Sequence, residues 1–192
     1  MPLAEPIEVA LQVGSALDAL GVEWLVGGSV ASSLHGIPRA TQDIDLVAAL
    51  QDRHVLPLVA ALEADFYIDA DMIRGALQCR GSFNLIHLAT MTKVDIFAPR
   101  GDPLSRLEMG RRRRYALGDA EGRSLPLASP EDIILQKLHW FRKGGAVSER
   151  QWRDVLGVLK IQSPQLDLKY LEDLAEATGL ARLLHQATEA AK

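Results

Sequence analysis

Cysteine is almost missing from this sequence. Cys79 is the one thiol among 192 residues, so neither an intramolecular disulfide nor a cysteine-built zinc cluster can form. A single unpaired thiol fits a reducing compartment, and the expected location is the cytoplasm. Basic residues are missing from the first 38 positions. Arg39 comes only after Glu5, Glu8, Asp18 and Glu23, the reverse of the basic start of a secretory leader, so export is not expected. Long apolar runs are missing as well. The longest uncharged stretch, residues 24–38, falls short of the roughly 20 residues a membrane helix needs and contains Gly, Ser and His, so no membrane span is expected. There is no surplus of positive charge either: the net charge is −4 and the isoelectric point is near 5.7, which argues against general nucleic-acid binding by the molecule as a whole. No internal repeat is present, and the only biased tract is Arg111 to Arg114.

What is there belongs to an ordinary globular protein, with 48% hydrophobic and 24% charged residues. A chain of this length buries roughly 70% of the surface its unfolded form exposes, enough to fold without covalent or metal staples. Charge is unevenly spread: residues 1–98 carry 5 Lys/Arg against 12 Asp/Glu, and residues 99–192 carry 16 against 13. An acidic half is followed by a mildly basic one.

Hydrophobic spacing predicts a helix over 6–20, closed by Gly21, then a short strand over 22–26 ending in Gly27-Gly28. Residues 29–35 are small and uncharged, as suits a helix buried against a sheet, and Gly36 and Pro38 stop it. Further strands are expected at 42–50, 66–68, 82–88 and 93–98, with helices at 52–64 and 70–78. This alternation predicts an α/β layer with a mixed sheet. From Ser129 onward the pattern is helical. Ser129-Pro130-Glu131-Asp132 supplies an N-cap, a first-turn proline and two acids at the positive end of a helix dipole. Ser148 and Gln151 form a second capping pair, and helices follow at 168–178 and 180–190. The expected division is a catalytic domain over 1–125 and a helical region over 126–192.

Chemistry concentrates in Gly27-Gly28-Ser29 and Asp43-Ile44-Asp45. Strand alternation puts Asp43 and Asp45 on one side and Ile44 and Leu46 on the other. Two carboxylates there, left unpaired, would repel each other and lose hydration, so a metal or a basic partner is wanted. Lys93-Val94-Asp95 repeats the geometry, and Asp95 becomes a third carboxylate if its strand lies beside that of Asp43. Three acids on two Mg²⁺ ions about 4 Å apart can activate an attacking hydroxyl and stabilise a leaving oxygen. The paired glycines allow a close backbone approach to phosphate, Ser29 adds a hydroxyl, and the next helix adds N–H groups at its positive end. Taken singly, Gly-Gly-Ser is most often a turn, and Asp-x-Asp a solvated edge pair.

In order, Gly27-Gly28-Ser29, His35-Gly36, Arg39 and Thr41-Gln42-Asp43-Ile44-Asp45-Leu46 resemble the nucleotidyltransferase superfamily with the polymerase-beta-like fold, and within it the AbiEii abortive-infection toxin branch. A second stretch, Pro130-Glu131-Asp132, Leu135-Gln136-Lys137-Leu138 and Gln151-Trp152-Arg153-Asp154, is similar to that branch's helical motif. The resemblance implies a nucleotidyltransferase fold with a mixed sheet flanked by helices, and a C-terminal helical bundle closing the nucleotide cleft. It implies Mg²⁺-dependent transfer of an NMP from an NTP such as ATP to a hydroxyl. Asp43, Asp45 and Asp95 become the catalytic and metal-binding residues, and Gly27, Gly28, Ser29, Arg39, Lys137 and Asp154 the substrate-binding ones. Its toxin members imply an RNA acceptor and a cognate antitoxin partner. The alternatives are a small acceptor such as an aminoglycoside, or a nucleotide-binding interaction protein without turnover.

Plainer roles compete for several residues. Lys137 lies among Ile133, Ile134, Leu138 and Phe141, where it either grips phosphate or snorkels from an apolar helix face. His35 reads as a cap or packing residue, and His87 and His139 lack ligand spacing. Arg111 to Arg114 is either a solvated face or a strand edge whose alternate arginines meet RNA phosphates.

Overall fold

Alternation along the central strands gives the sheet one apolar face and one charged face. The computed structural model describes residues 5–41, 43–99, 101, 103–118 and 122–192. The first part of the chain runs α1 (Glu5–Ala19), β1 (Trp24–Val26), α2 (Gly28–His35), β2 (Asp43–Ala48), α3 (Asp52–Leu62), β3 (Phe66–Tyr67), α4 (Ala70–Cys79), β4 (Ser82–His87) and β5 (Lys93–Phe97). It continues through α5 (Pro103–Arg111), β6 (Arg113–Ala116), β7 (Ser124–Leu127), α6 (Pro130–Lys143), α7 (Glu149–Gln162), α8 (Leu168–Ala177) and α9 (Ala181–Ala191). The sheet order is β3-β4-β5-β2-β1-β7-β6. β2 pairs with β5, and β1 with β7, in parallel; the other neighbours are antiparallel. This is the expected α/β architecture with a mixed sheet. Gln42, where the second strand was expected to start, lies outside the described residues.

Trp24, Val26, Ile44, Leu46, Phe83, Leu85, Val94, Ile96, Leu125 and Leu127 form the apolar face, packed with Val13 and Leu17 of α1, Leu58 of α3 and Ile73 of α4. Gly14 makes room for this packing: a Cβ there would lie 2.3 Å from the Trp24 ring. The intervening residues of β2 and β5 carry the charge. A second core joins Leu25 and Ala31 to Leu104 and Met109 of α5, Ile133 and Leu138 of α6, Val155 and Val158 of α7, and the last two helices. Every helix predicted from periodicity is present.

Apart from the strand edge weighed for Arg111 to Arg114, residues 99–128 were read without an element, yet they hold α5, β6 and β7. The reason is chemical. α5 buries Ser105 and Glu108 beside Leu104 and Met109, which breaks its apolar stripe, and β7 contains Pro126. β7 also straddles the expected division after residue 125. Leu125 and Leu127 pack in the sheet core, whereas Ala128 belongs to the helical one.

The arginine run ends α5 and opens the edge strand β6. Arg111 ends α5 and pairs with Glu131 (3.3 Å) and Asp132 (3.6 Å), with its guanidinium 3.8 Å from the centre of the Tyr170 ring. Arg112 donates to Glu23 (2.6 Å) and Arg114 to Asp18 (3.1 Å). Three of the four charges are therefore spent on the protein's own carboxylates.

His35 fastens the two cores together. Its Nε2–H donates to the Ala128 carbonyl (2.8 Å), and Tyr115 meets the ring edge-on at 5.0 Å. Gln162 donates to the His35 carbonyl (2.7 Å). Burial holds the imidazole below its usual pKa, although the Ala128 carbonyl and Glu131 pull the other way. The unfolded chain takes up this proton near pH 6.5 and the folded chain only at lower pH. The stabilisation from neutral His35 is thus complete above 6.5 and is lost as pH falls through the folded value. Wild type should lose more thermal stability than His35→Gln between about pH 7.5 and about pH 5. Equal losses in parallel melting curves would clear His35 of this role.

Candidate active site

Register decides which charges meet. Along the parallel β2–β5 pair, Asp45 stands opposite Asp95 and Asp43 opposite Lys93. All four therefore share the face turned away from the apolar core. Lys93 Nζ donates to Asp95 Oδ2 (2.8 Å), and the Ser29 N–H, in the first turn of α2, donates to Asp45 Oδ2 (3.3 Å). The Gly27 N–H donates to the Asp45 carbonyl (2.9 Å), which ties the β1–α2 turn down onto β2. Gly28 has φ +53°, and a Cβ on it would sit 1.7 Å from Asp45 Oδ2. The absence of a Cβ at Gly28 thus lets the Asp45 carboxylate approach the turn.

Burial pushes the Asp45 carboxyl above the usual carboxylate range, and the nearby Asp95 and Asp43 add to the rise, against the Ser29 N–H and Lys137. The face therefore favours a cation. Three carboxylates, all oxygen donors, suit a hard divalent ion such as Mg²⁺. They share a face and a register but do not close on one point: among the described residues no group of three or more His, Cys, Asp or Glu is gathered as a metal centre. Asp95 is held by Lys93, Asp45 is held by Ser29, and Asp43 is exposed at the start of its strand.

Across the cleft, Asp154 of α7 gathers two cations. Lys137 Nζ of α6 donates to Asp154 Oδ2 (2.8 Å), while Arg39 reaches both carboxylate oxygens (2.9 and 3.1 Å). Arg39 also donates to Ser29 Oγ (2.6 Å), leaving that hydroxyl's own hydrogen to donate elsewhere. Lys137 is only 5% exposed, so it does not snorkel to solvent. Burial pushes the Asp154 carboxyl up, but the hydrogen bonds from Arg39 and Lys137 outweigh it and hold the group below its usual range.

Between these two walls lies a cleft of about 310 Å³, lined by Gly27, Gly28, Ser29, Asp45 and Lys137 and closed by Phe97 and Trp140. Arg39, Asp43, Asp95 and Asp154 do not line it; they act on its lining through hydrogen bonds or lie beside it. Sequence reasoning missed Glu108 and Gln136, whose amide donates to the Glu108 carboxylate (3.0 Å) in the cleft wall. The signal for Glu108, an acid at a buried helix position, becomes legible only once α5 is known.

No protein-family model matches the sequence, and no curated protein is matched by sequence. Solved structures are similar in fold. ANT(2'')-Ia in complex with adenylyl-2''-tobramycin aligns with TM-score 0.60 at 17% identity, over 91% of this chain and 97% of that one. An antigenic nucleotidyltransferase-like protein from Paracoccidioides brasiliensis aligns with TM-score 0.56 at 19% identity, over 99% and 95%. The lincomycin-bound lincosamide adenylyltransferase LnuA aligns with TM-score 0.52 at 13% identity, over 83% and 98%. The chain has the nucleotidyltransferase fold.

The Gly28 contact gives a direct test. Gly28→Ala combines a left-handed backbone, worth about 1–2 kcal/mol, with a clash that only movement of Asp45 relieves. A melting temperature at least several degrees below wild type is expected. An unchanged melting temperature would show that the turn does not need this close approach.

Proposed function

We propose that this protein transfers a nucleoside monophosphate from an NTP to a hydroxyl on a small polar molecule. The observation that carries this reading is the in-register Asp45–Asp95 pair, lying under a glycine-serine turn and facing buried Lys137. The acceptor oxygen attacks the α-phosphorus, the bond to the β-phosphate bridging oxygen breaks, and pyrophosphate leaves. Asp43, Asp45 and Asp95 would hold Mg²⁺, which when bound neutralises phosphate charge and polarises the reacting oxygens. Asp95 would take the acceptor proton. Ser29, with its hydrogen directed away from Arg39, donates to a phosphate oxygen, and Lys137 balances triphosphate charge. Gly27 and Gly28 shape the turn that brings these groups close. Arg39 and Asp154 work by position: they hold Ser29 and Lys137 in place. Such a site accelerates transfer by preorganised charge and alignment.

A small acceptor is favoured because Arg111, Arg112 and Arg114 are engaged by the protein's own acids. ANT(2'')-Ia, solved with adenylyl-2''-tobramycin, and the lincomycin-bound LnuA are two similar structures with small acceptors, which supports the same choice. An RNA acceptor, with a cognate antitoxin, is the toxin-type alternative and rests on the sequence resemblance.

Incubation with each α-labelled NTP and Mg²⁺ should label an aminoglycoside or another polyhydroxylated compound, and chelation should abolish the label. Label appearing in cellular RNA and not in small molecules would replace the proposed acceptor. Asp45→Asn should lower transfer about 100-fold or more. Lys137→Met should lose about 2–4 kcal/mol of transition-state stabilisation. Because Arg39 still pairs with Asp154, its stability loss should stay below the roughly 3–5 kcal/mol of a fully broken buried pair. Full transfer by folded Lys137→Met would remove Lys137 from the site.

A further inference from the structure

One corner of the charged face is not an acid. β2 contributes Asp43 and Asp45, β5 contributes Lys93 and Asp95, and the register sets them as a two-by-two array with a single cation among three carboxylates. Lys93 is not spread evenly among them. Its ammonium lies on Asp95 Oδ2 at 2.8 Å, within its own strand. The other fixed contact on this face, from the Ser29 N–H to Asp45 Oδ2, comes from the backbone and cannot be released without moving the turn. The lysine can be released. Its side chain keeps 43% of its surface exposed, against 21% for Asp95, so the ammonium has water to move into.

We propose that Lys93 is a displaceable counter-ion: its ammonium holds one oxygen of Asp95 until a divalent cation takes that oxygen, so lysine and metal compete for the third carboxylate. The inference rests on the nucleotidyltransferase reading for the presence of a metal, and it adds an order of events. An ion carried by Asp43 and Asp45 is accepted without disturbing Lys93. Recruitment of Asp95 Oδ2 would require the lysine to swing out. Until then the ammonium keeps Asp95 from facing Asp45 uncompensated. Lys93 is thus a positioning residue for Asp95, and its effect is read in metal affinity before any turnover.

The test is Mn²⁺ binding to the full chain without nucleotide, followed by the electron paramagnetic resonance of free Mn²⁺ and by calorimetry. Wild type, Lys93→Met and Lys93→Arg are compared, with folding checked by circular dichroism. Lys93→Met keeps the stem and removes the competing charge. It should bind Mn²⁺ about tenfold more tightly, or bind a second equivalent that wild type does not. Lys93→Arg, which still holds Asp95, should stay near wild type. Equal affinity and stoichiometry in wild type and Lys93→Met would overturn the proposal, as would equal tightening in Lys93→Arg. Absence of Mn²⁺ binding in all three would overturn it too. Label transfer by the same preparations separates the failures: transfer that persists removes only the role of Lys93, whereas its loss as well removes the nucleotidyltransferase reading.

Discussion

The carboxylate of Asp154 is the contact on which the two halves of the molecule depend. It sits in α7, 8% exposed, and binds Arg39 from the loop after α2 and Lys137 from α6. Neither cation is accommodated without it: Lys137 would be a buried ammonium with its carboxylate gone, and Arg39 would lose the fork-to-fork pairing that aims it at Ser29. A buried network of this kind gives modest net stability, because desolvation offsets much of the attraction. Its larger effect is specificity, since only one approach of α7 to the β1–α2 turn satisfies all three groups. Glu108 in the same wall offsets the surplus of Arg39 and Lys137 over Asp154. That wall faces a sheet surface whose three acids outnumber one lysine. The cleft between them suits a polyanion bound together with cations.

Strand parity was the most legible part of this site. Asp-x-Asp and Lys-x-Asp, read as alternating strands, place each charged pair on one face of its own strand, and the structure puts those strands side by side in matching register. What parity does not give is the state of those side chains. Lys93 was read as a neighbour on the same face, and its closure onto Asp95 depends on rotamers that no spacing encodes. The close approach of Gly28 to Asp45 was not legible either, because it is set by a backbone hydrogen bond between β2 and the turn. Arg39 and Asp154 lie 115 positions apart, beyond any local pattern, and entered through resemblance. Residues 99–128 were largely unread because their buried positions include Ser105, Glu108 and Pro126, which local hydrophobic counting assigns to loops.

Topology explains why these residues meet at one end of the sheet. β1 and β2 are antiparallel, so the end of β1 at Val26 lies over the beginning of β2, with Val26 opposite Leu46. The turn at Gly27 and Gly28 is thereby delivered to Asp45. β2 and β5 are parallel, so their first residues, Asp43 and Lys93, also lie together at that end. Had β5 run antiparallel to β2, the beginning of one strand would face the end of the other, and Asp95 would have met the turn only in a different register. The parallel pairing needs a long crossover, and α3, β3, α4 and β4 supply it, with α3 and α4 covering the apolar face. The elements farthest from the chemistry are thus what allow two short acidic motifs, about 50 residues apart, to share one face. The parallel β1–β7 contact does the corresponding work for the opposite wall. It carries the chain from the sheet into Ser129, the N-cap of α6, and so sets the helix bearing Lys137 above the acids.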